Sequence, residues 1–228
     1  MTYLQRSLLV EIATGKFTLL LVSMGLLLVL SPFLSGILWA EVTTDIIFTA
    51  LLFSAIYAVS KEGWLFMIQV TLAVLTVLLR WWYQVTYEPT ISLWATATGA
   101  VFFILISVSI ITFVFNVTGV TADTIAGSIC AYLLLGIAWG HIFALLQILN
   151  PQTLNIAIEP RGASDLEPFL YFSFVTLTTL GYGDFVPGTA PAKFLAVFEA
   201  VMGQLYLAVL VARLVALYNR AAVADKDH

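Results

Sequence analysis

Six apolar stretches follow one another along the chain, near Phe17 to Leu38, Thr43 to Val59, Trp64 to Leu79, Ile91 to Phe115, Ile125 to Leu149 and Ala192 to Tyr218. Each is long enough to cross about 30 Å of hydrocarbon. Lipid supplies no hydrogen-bond partners, so a crossing segment must satisfy its backbone internally, and a run of this length does so as a helix. A seventh apolar piece, Leu166 to Leu177, is too short to span and reads as a re-entrant helix. With hydrophobic residues at 61%, charged ones at 10% and a mean hydropathy of +1.04, the chain could not wet the surface of a soluble globule. The expected fold class is an all-α, multi-pass integral membrane protein with lipid as its solvent.

The single cysteine, Cys130, excludes an intrachain disulfide and reads as a small buried apolar residue. The net charge of -4 and the absence of basic clusters or basic–aromatic interleaving argue against a nucleic-acid partner. Nowhere do the polar residues assemble a nucleophile, base and metal constellation, so an enzyme is not expected. Internal repeats and low-complexity linkers are absent, which packs function into the membrane.

The short apolar piece leads into Thr176-Leu-Thr-Thr-Leu-Gly-Tyr-Gly-Asp184. Alone, two glycines around a tyrosine would mark an ordinary turn. Nine positions in this setting, with a long apolar span following, resemble the selectivity-filter signature of the potassium channel superfamily. The resemblance covers about Thr121 to Leu217, and the first four helices share only number and position with the family's six-helix members. It implies a fourfold homotetramer in which four copies of a strand replace the water shell of a dehydrated potassium ion with backbone carbonyls. The carbonyls of Thr179, Leu180, Gly181 and Tyr182, with the Thr179 hydroxyl, would be the ion's ligands, Thr178 leading in from the pore helix. Gly181 and Gly183 would supply φ values that a Cβ disfavours. Tyr182 would wedge outward against the pore helices, and Asp184 would sit at the outer mouth. Leu180 departs from the family's commoner valine, which alters packing behind the strand rather than the carbonyl an ion meets. No cofactor is implied beyond the permeant potassium ions.

The family's orientation, filter end outward, puts both termini in the cytoplasm. Arg6, Lys16, Lys61, Arg213, Arg220 and Lys226 then lie inside, against Arg80, Arg161 and Lys193 outside, in the sense of the positive-inside rule. Trp39, Trp81, Trp82, Tyr83, Tyr87 and Trp94 would form an outer aromatic belt. A cleaved signal peptide at the N-terminus is disfavoured by the length of the first run. Small size and short loops point to a prokaryotic inner membrane. The polar connector Asn116 to Asp123 divides the chain into a four-helix unit, residues 1–120, and a pore unit of outer helix, pore helix, filter and inner helix, residues 121–228.

Within the pore unit, Ser164-Asp165-Leu166-Glu167 fits a capping box for the pore helix; alternatively Glu167 caps, with Pro168 in the first turn. Either start aims the helix's negative end toward a cation below the filter. Gly136-Ile-Ala-Trp-Gly140 is either a small-xxx-small contact or two incidental glycines. Gly203, nineteen residues past Asp184, stands where the family carries a gating hinge, and glycine weakens a helix by about 1 kcal/mol relative to alanine. Arg213 would face the mouth or snorkel to headgroups. His141 and Glu199 each lie about eight positions, or ~12 Å at the helical rise, from the outer ends of their spans. Ionisable groups at such depth are costly. The two are expected to form a buried hydrogen-bonded pair, joined by Ser173 or Thr176 and able to make conduction pH-sensitive; the alternative has Glu199 bonding pore-helix hydroxyls while His141 packs elsewhere.

Ile91 to Phe115 contains no charged residue. A unit charge crossing the membrane field gains about 2.3 kcal/mol per 100 mV, so a fourth helix without charges has little electrical work to offer and intrinsic voltage gating is not expected. After Tyr218 ten residues remain, too few for a cytoplasmic sensing domain. The expected function is passive, potassium-selective conduction. The alternatives are a weakly selective monovalent cation channel and a non-conducting regulatory membrane subunit whose first four helices bind a ligand. The sequence names no regulatory ligand.

Overall fold

A computed structural model describes residues 15–34, 40–59, 63–117, 119, 121–155 and 166–224. Its helices are α1 (Lys16–Leu34), α2 (Ala40–Val59), α3 (Trp64–Thr86), α4 (Pro89–Asn116), α5 (Ala122–Leu149), α6 (Glu167–Leu177) and α7 (Ala190–Ala224). Among the described residues, five helices are long and apolar enough to cross a membrane, namely α2, α3, α4, α5 and α7. The apolar part described for α1, Lys16–Leu30, is shorter, and the far end of the expected first span lies outside the described residues, so five of the six expected spans have a candidate helix. Two dyads of extended chain, β1 (Leu154–Asn155) and β2 (Val186–Pro187), pair antiparallel with Leu154 opposite Pro187. No strand was expected, because two residues carry no readable alternation.

The helices start and stop where local chemistry dictates. Pro89 opens α4, since a residue without an N–H loses nothing in the first turn. Thr121 caps α5 by accepting from the Thr124 amide at 3.1 Å. Tyr87 ends α3 in the left-handed conformation, φ 53°, its amide donating to the Tyr83 carbonyl.

Helix α5 is the hub, packing along α4 most extensively and touching α1, α6 and α7. Helices α1 and α4 thus pack directly on α5 of the same chain. Apolar side chains gain little from leaving lipid for one another, so close packing and buried polar bonds carry helix association here. Ser23 and Ser54 share a 2.7 Å hydrogen bond between α1 and α2. The Gln69 amide on α3 donates to Ser109 Oγ on α4 at 2.8 Å. On α4, Gly99 leaves room for the His141 ring, which a Cβ would meet at 2.9 Å.

The strongest polar contact lies between α2 and α3. Arg80 donates through Nε and Nη2 to Asp45 Oδ1 at 2.8 and 2.5 Å, while the Gln84 amide donates to Oδ2 at 2.6 Å. The pair is only 8% and 2% exposed, and the guanidinium also lies 4.3 Å from the Phe48 ring centroid. Arg80 is thus an internal ion pair, not the free outer charge that its place near a helix end suggested. Tyr83 likewise differs from its expected role in the belt: it is buried and packs edge-on against Tyr87 at 5.9 Å. Trp81, Trp82, Tyr87 and Trp94 are exposed, and Trp39 lies outside the described residues.

Removing one member of a buried pair strands the other charge, a loss of about 3–5 kcal/mol. Asp45→Ala is therefore expected to melt well below the parent in detergent, whereas Asp45→Ala with Arg80→Leu recovers most of the difference. A thermal melt of the three proteins checks this.

Candidate functional site

The site is built on α6. Its N-cap is Leu166, without a side-chain cap bond; Glu167 is the first helical residue and Pro168 lies in the first turn. That start is nearer the second of the two expected ones, with Glu167 inside the helix rather than capping it. Ser164 and Asp165 of the expected capping box lie outside the described residues.

Helix α6 reaches α5 because two glycines there lack side chains. A Cβ at Gly136 would stand 2.5 Å from the Phe174 ring, and one at Gly140 would meet Leu170, 3.3 Å from its backbone. Gly136 and Gly140 are thus a close-contact pair. Phe172 completes the seat, edge-on to Phe143 at 4.8 Å.

Where α6 ends, its last carbonyls capture the amides of the following loop. Thr178 N donates to Phe174 O at 3.0 Å and Thr179 N to Thr176 O at 2.9 Å. Leu180 N and Gly181 N both donate to Val175 O, at 2.9 and 3.2 Å. No described residue donates to the carbonyls of residues 179–182. Positive φ recurs at alternate positions: 60° at Thr179, 56° at Gly181 and 81° at Gly183. Reversing handedness at every second residue turns consecutive peptide planes so that neighbouring carbonyls can share one side. At the two glycines this conformation is free of Cβ strain; at Thr179 it costs of order 1–3 kcal/mol. Sequence offered no signal for the threonine. Residues 178–184 are all exposed in the single chain, Leu180 at 54% and Tyr182 at 68%.

The strand's far end is braced. Tyr171 on α6 donates its hydroxyl to Asp184 Oδ2 at 2.6 Å, the Phe185 amide donates to Oδ1 at 3.0 Å, and the Tyr171 and Phe185 rings pack edge-on at 5.2 Å. The Tyr171 hydrogen bond holds the Asp184 carboxyl below its usual range, and the same bond pushes the Tyr171 hydroxyl up to about 12. Tyr171 was not singled out from sequence; an aromatic on an apolar pore helix looks like any packing residue. Beyond Asp184, Gly188 N donates to Thr153 O at 2.8 Å, continuing the β1–β2 ladder.

Helix α7 runs unbroken through Gly203. A Cβ there would collide with the Leu177 carbonyl oxygen, the last residue of α6. The glycine thus lets α7 press against the C-terminal end of α6, a reason for its presence that its spacing did not reveal. The Tyr132 hydroxyl donates to the same Leu177 carbonyl at 3.3 Å. Arg213 makes a contact that neither expectation included: its Nη2 donates to the Val117 carbonyl at the end of α4 at 2.8 Å, and its guanidinium lies 5.2 Å from the Phe115 ring centroid.

Glu199 and His141 are both buried but do not meet. Glu199 Oε1 lies 2.5 Å from Ser173 Oγ on α6, while His141 Nδ1 lies 2.8 Å from the Ile137 carbonyl, its ring packed on Phe48 and Phe103 at 5.7 and 4.9 Å. The expected pair is corrected to two separate contacts, because His141 points toward α2 and α4 whereas Glu199 points toward α6. Ser173 is one of the two partners, with Thr176, that were expected for this group.

Residues 129–220 match the family described as ion channel. The chain is also similar to the mouse protein "Potassium channel, subfamily K, member 16", 39% identical over 69 residues, a match covering 27% of this chain and 23% of that one. No solved structure matches it significantly. The stretch that resembles the ion channel family thus takes in most of α5, all of α6, the glycine-punctuated loop and most of α7. The chain spans about a quarter of the length of that curated relative.

Two substitutions probe the site. Gly203→Ala gains about 1 kcal/mol of helix propensity but places a methyl against a backbone carbonyl that cannot yield, an overpacking loss of about 1–3 kcal/mol. Lower thermal stability than the parent is expected; higher stability would show that only the helix propensity mattered. Tyr171→Phe removes the bond that lowers the Asp184 carboxyl. A group with a depressed folded pKa contributes stability above its unfolded value and loses it as the pH falls. The gap in melting temperature between parent and Tyr171→Phe is therefore widest near neutral pH and closes in strong acid.

Proposed function

We propose that the protein is a potassium-selective channel in which four copies of residues 178–184 line one axis and pass ions passively. The observation that carries this reading is the row of unpaired carbonyls at 179–182 on a backbone of alternating handedness. Unpaired backbone at membrane depth cannot be left to lipid, so it calls for other copies of the chain, water or ions. One chain supplies one strip, and a dehydrated cation needs a cage of several. The carbonyls of Thr179, Leu180, Gly181 and Tyr182, with the Thr179 hydroxyl, are the proposed ligands. Helix α6 ends just before this strip, its negative end toward the ion.

Helix α4, Pro89–Asn116, contains no Asp, Glu, Lys or Arg. Opening is therefore proposed to draw little work from the membrane field, with both termini on the cytoplasmic side and Gly203 as the position where α7 bends if the gate opens by bending. The second reading, weaker selectivity among monovalent cations, is favoured by Leu180, whose bulk changes what packs behind the strand.

Reconstituted flux tests both. Potassium and rubidium are expected to pass far faster than sodium with little dependence on voltage, and Gly181→Ala is expected to abolish flux while leaving the protein folded. Equal sodium and potassium flux selects the second reading, and no flux from folded protein would overturn both.

A further inference from the structure

Ser173 touches two acceptor-type oxygens and owns one proton. Its Oγ lies 2.7 Å from the Gly136 carbonyl of α5 and 2.5 Å from Glu199 Oε1 of α7, and all of this is buried, Ser173 and Glu199 at 0% exposure. Both separations are hydrogen-bond lengths. A carbonyl can only accept, so the contact to Gly136 takes the serine's proton. The proton in the other contact must then come from the carboxyl group. An ionised Glu199 would leave one of these two short oxygen–oxygen contacts without hydrogen, lone pair against lone pair.

The second oxygen gives the same answer. Glu199 Oε2 is buried and has no hydrogen-bond partner. As half of a carboxylate it would carry charge in an apolar site, whereas as the carbonyl of a neutral acid it forgoes one weaker bond. The ionisable groups on the packed helices do not alter this. On α5, Tyr132 and His141 are engaged with the Leu177 and Ile137 carbonyls; on α6, Tyr171 holds Asp184; on α7, the Tyr206 hydroxyl donates to the Ser128 carbonyl and Arg213 to Val117. Lys193 is exposed. No cation among the described residues bonds Glu199.

We infer that Glu199 is a neutral carboxylic acid whose proton is donated to Ser173, which donates its own to Gly136, so that one relay ties α7, α6 and α5 together behind the filter loop. Glu199 is then a positioning residue: it touches no ion but sets where the pore helix stands. The proton count holds whether or not the protein conducts; only the consequence for the pore rests on the proposed function.

Infrared difference spectra of the full-length protein in lipid test the inference without a flux measurement. At neutral pH, parent minus Glu199→Gln is expected to show the carbonyl stretch of a protonated carboxyl, and Ser173→Ala is expected to move that band to higher frequency as the acid loses its acceptor. Paired carboxylate stretches in its place, or a band that Ser173→Ala leaves unmoved, would overturn the relay. Stability gives a second measurement. Glu199→Gln, which keeps a donor and an acceptor, is expected to melt near the parent, and Glu199→Ala well below it; a Gln variant as damaged as the Ala variant counts against a neutral donor.

Discussion

The close approach of α5 and α6 is the contact on which the arrangement of α5, α6 and α7 depends. Two missing side chains, at Gly136 and Gly140, let a helix of eleven residues lie against one of twenty-eight with backbone nearly touching side chain. In lipid there is little apolar driving force for that contact, so it persists through dispersion at short range and through polar bonds that close over it. Ser173 makes such a bond, landing on the carbonyl of Gly136 itself. Gly203 repeats the device on the other side, bringing α7 against the last carbonyl of α6. The loop after α6 therefore leaves from a point held by two helices, and its first amides are absorbed by α6 before its carbonyls turn free.

Much of this was legible from residue order because long apolar runs and glycine punctuation are strong, local signals. The spans, the short helix too brief to cross and the loop's need for glycine all follow from length and from the absence of a Cβ. What resisted was anything decided across helices. Arg80 looked like a free charge near a helix end, yet its partner Asp45 lies thirty-five residues earlier on a neighbouring helix. His141 and Glu199 sit at matching depth, which invited pairing, but depth says nothing about azimuth, and the two rings and one hydroxyl that receive them lie on opposite sides. Tyr171 and the positive φ of Thr179 carry no mark in sequence at all.

The four-helix unit is less inert than its uncharged fourth helix implies. Asp45 pairs with Arg80 inside it and accepts from Gln84, welding α2 to α3. The guanidinium rests on Phe48, and Phe48 in turn packs on the His141 ring of α5. Arg213 of α7 grips the C-terminal end of α4. The first four helices are thus fastened to α5 and α7 at two places, one through aromatic packing and one through a hydrogen bond to backbone.

The β1–β2 ladder, two residues on each side, has a geometric consequence out of proportion to its size. It anchors the chain again at Val186, while α6 anchors it at Leu177, so the eight residues between are a tether of set residue number held at both ends. Lengthening it by a single residue would shift every later carbonyl by one peptide plane, and the alternation of left and right would fall out of step with whatever lies opposite.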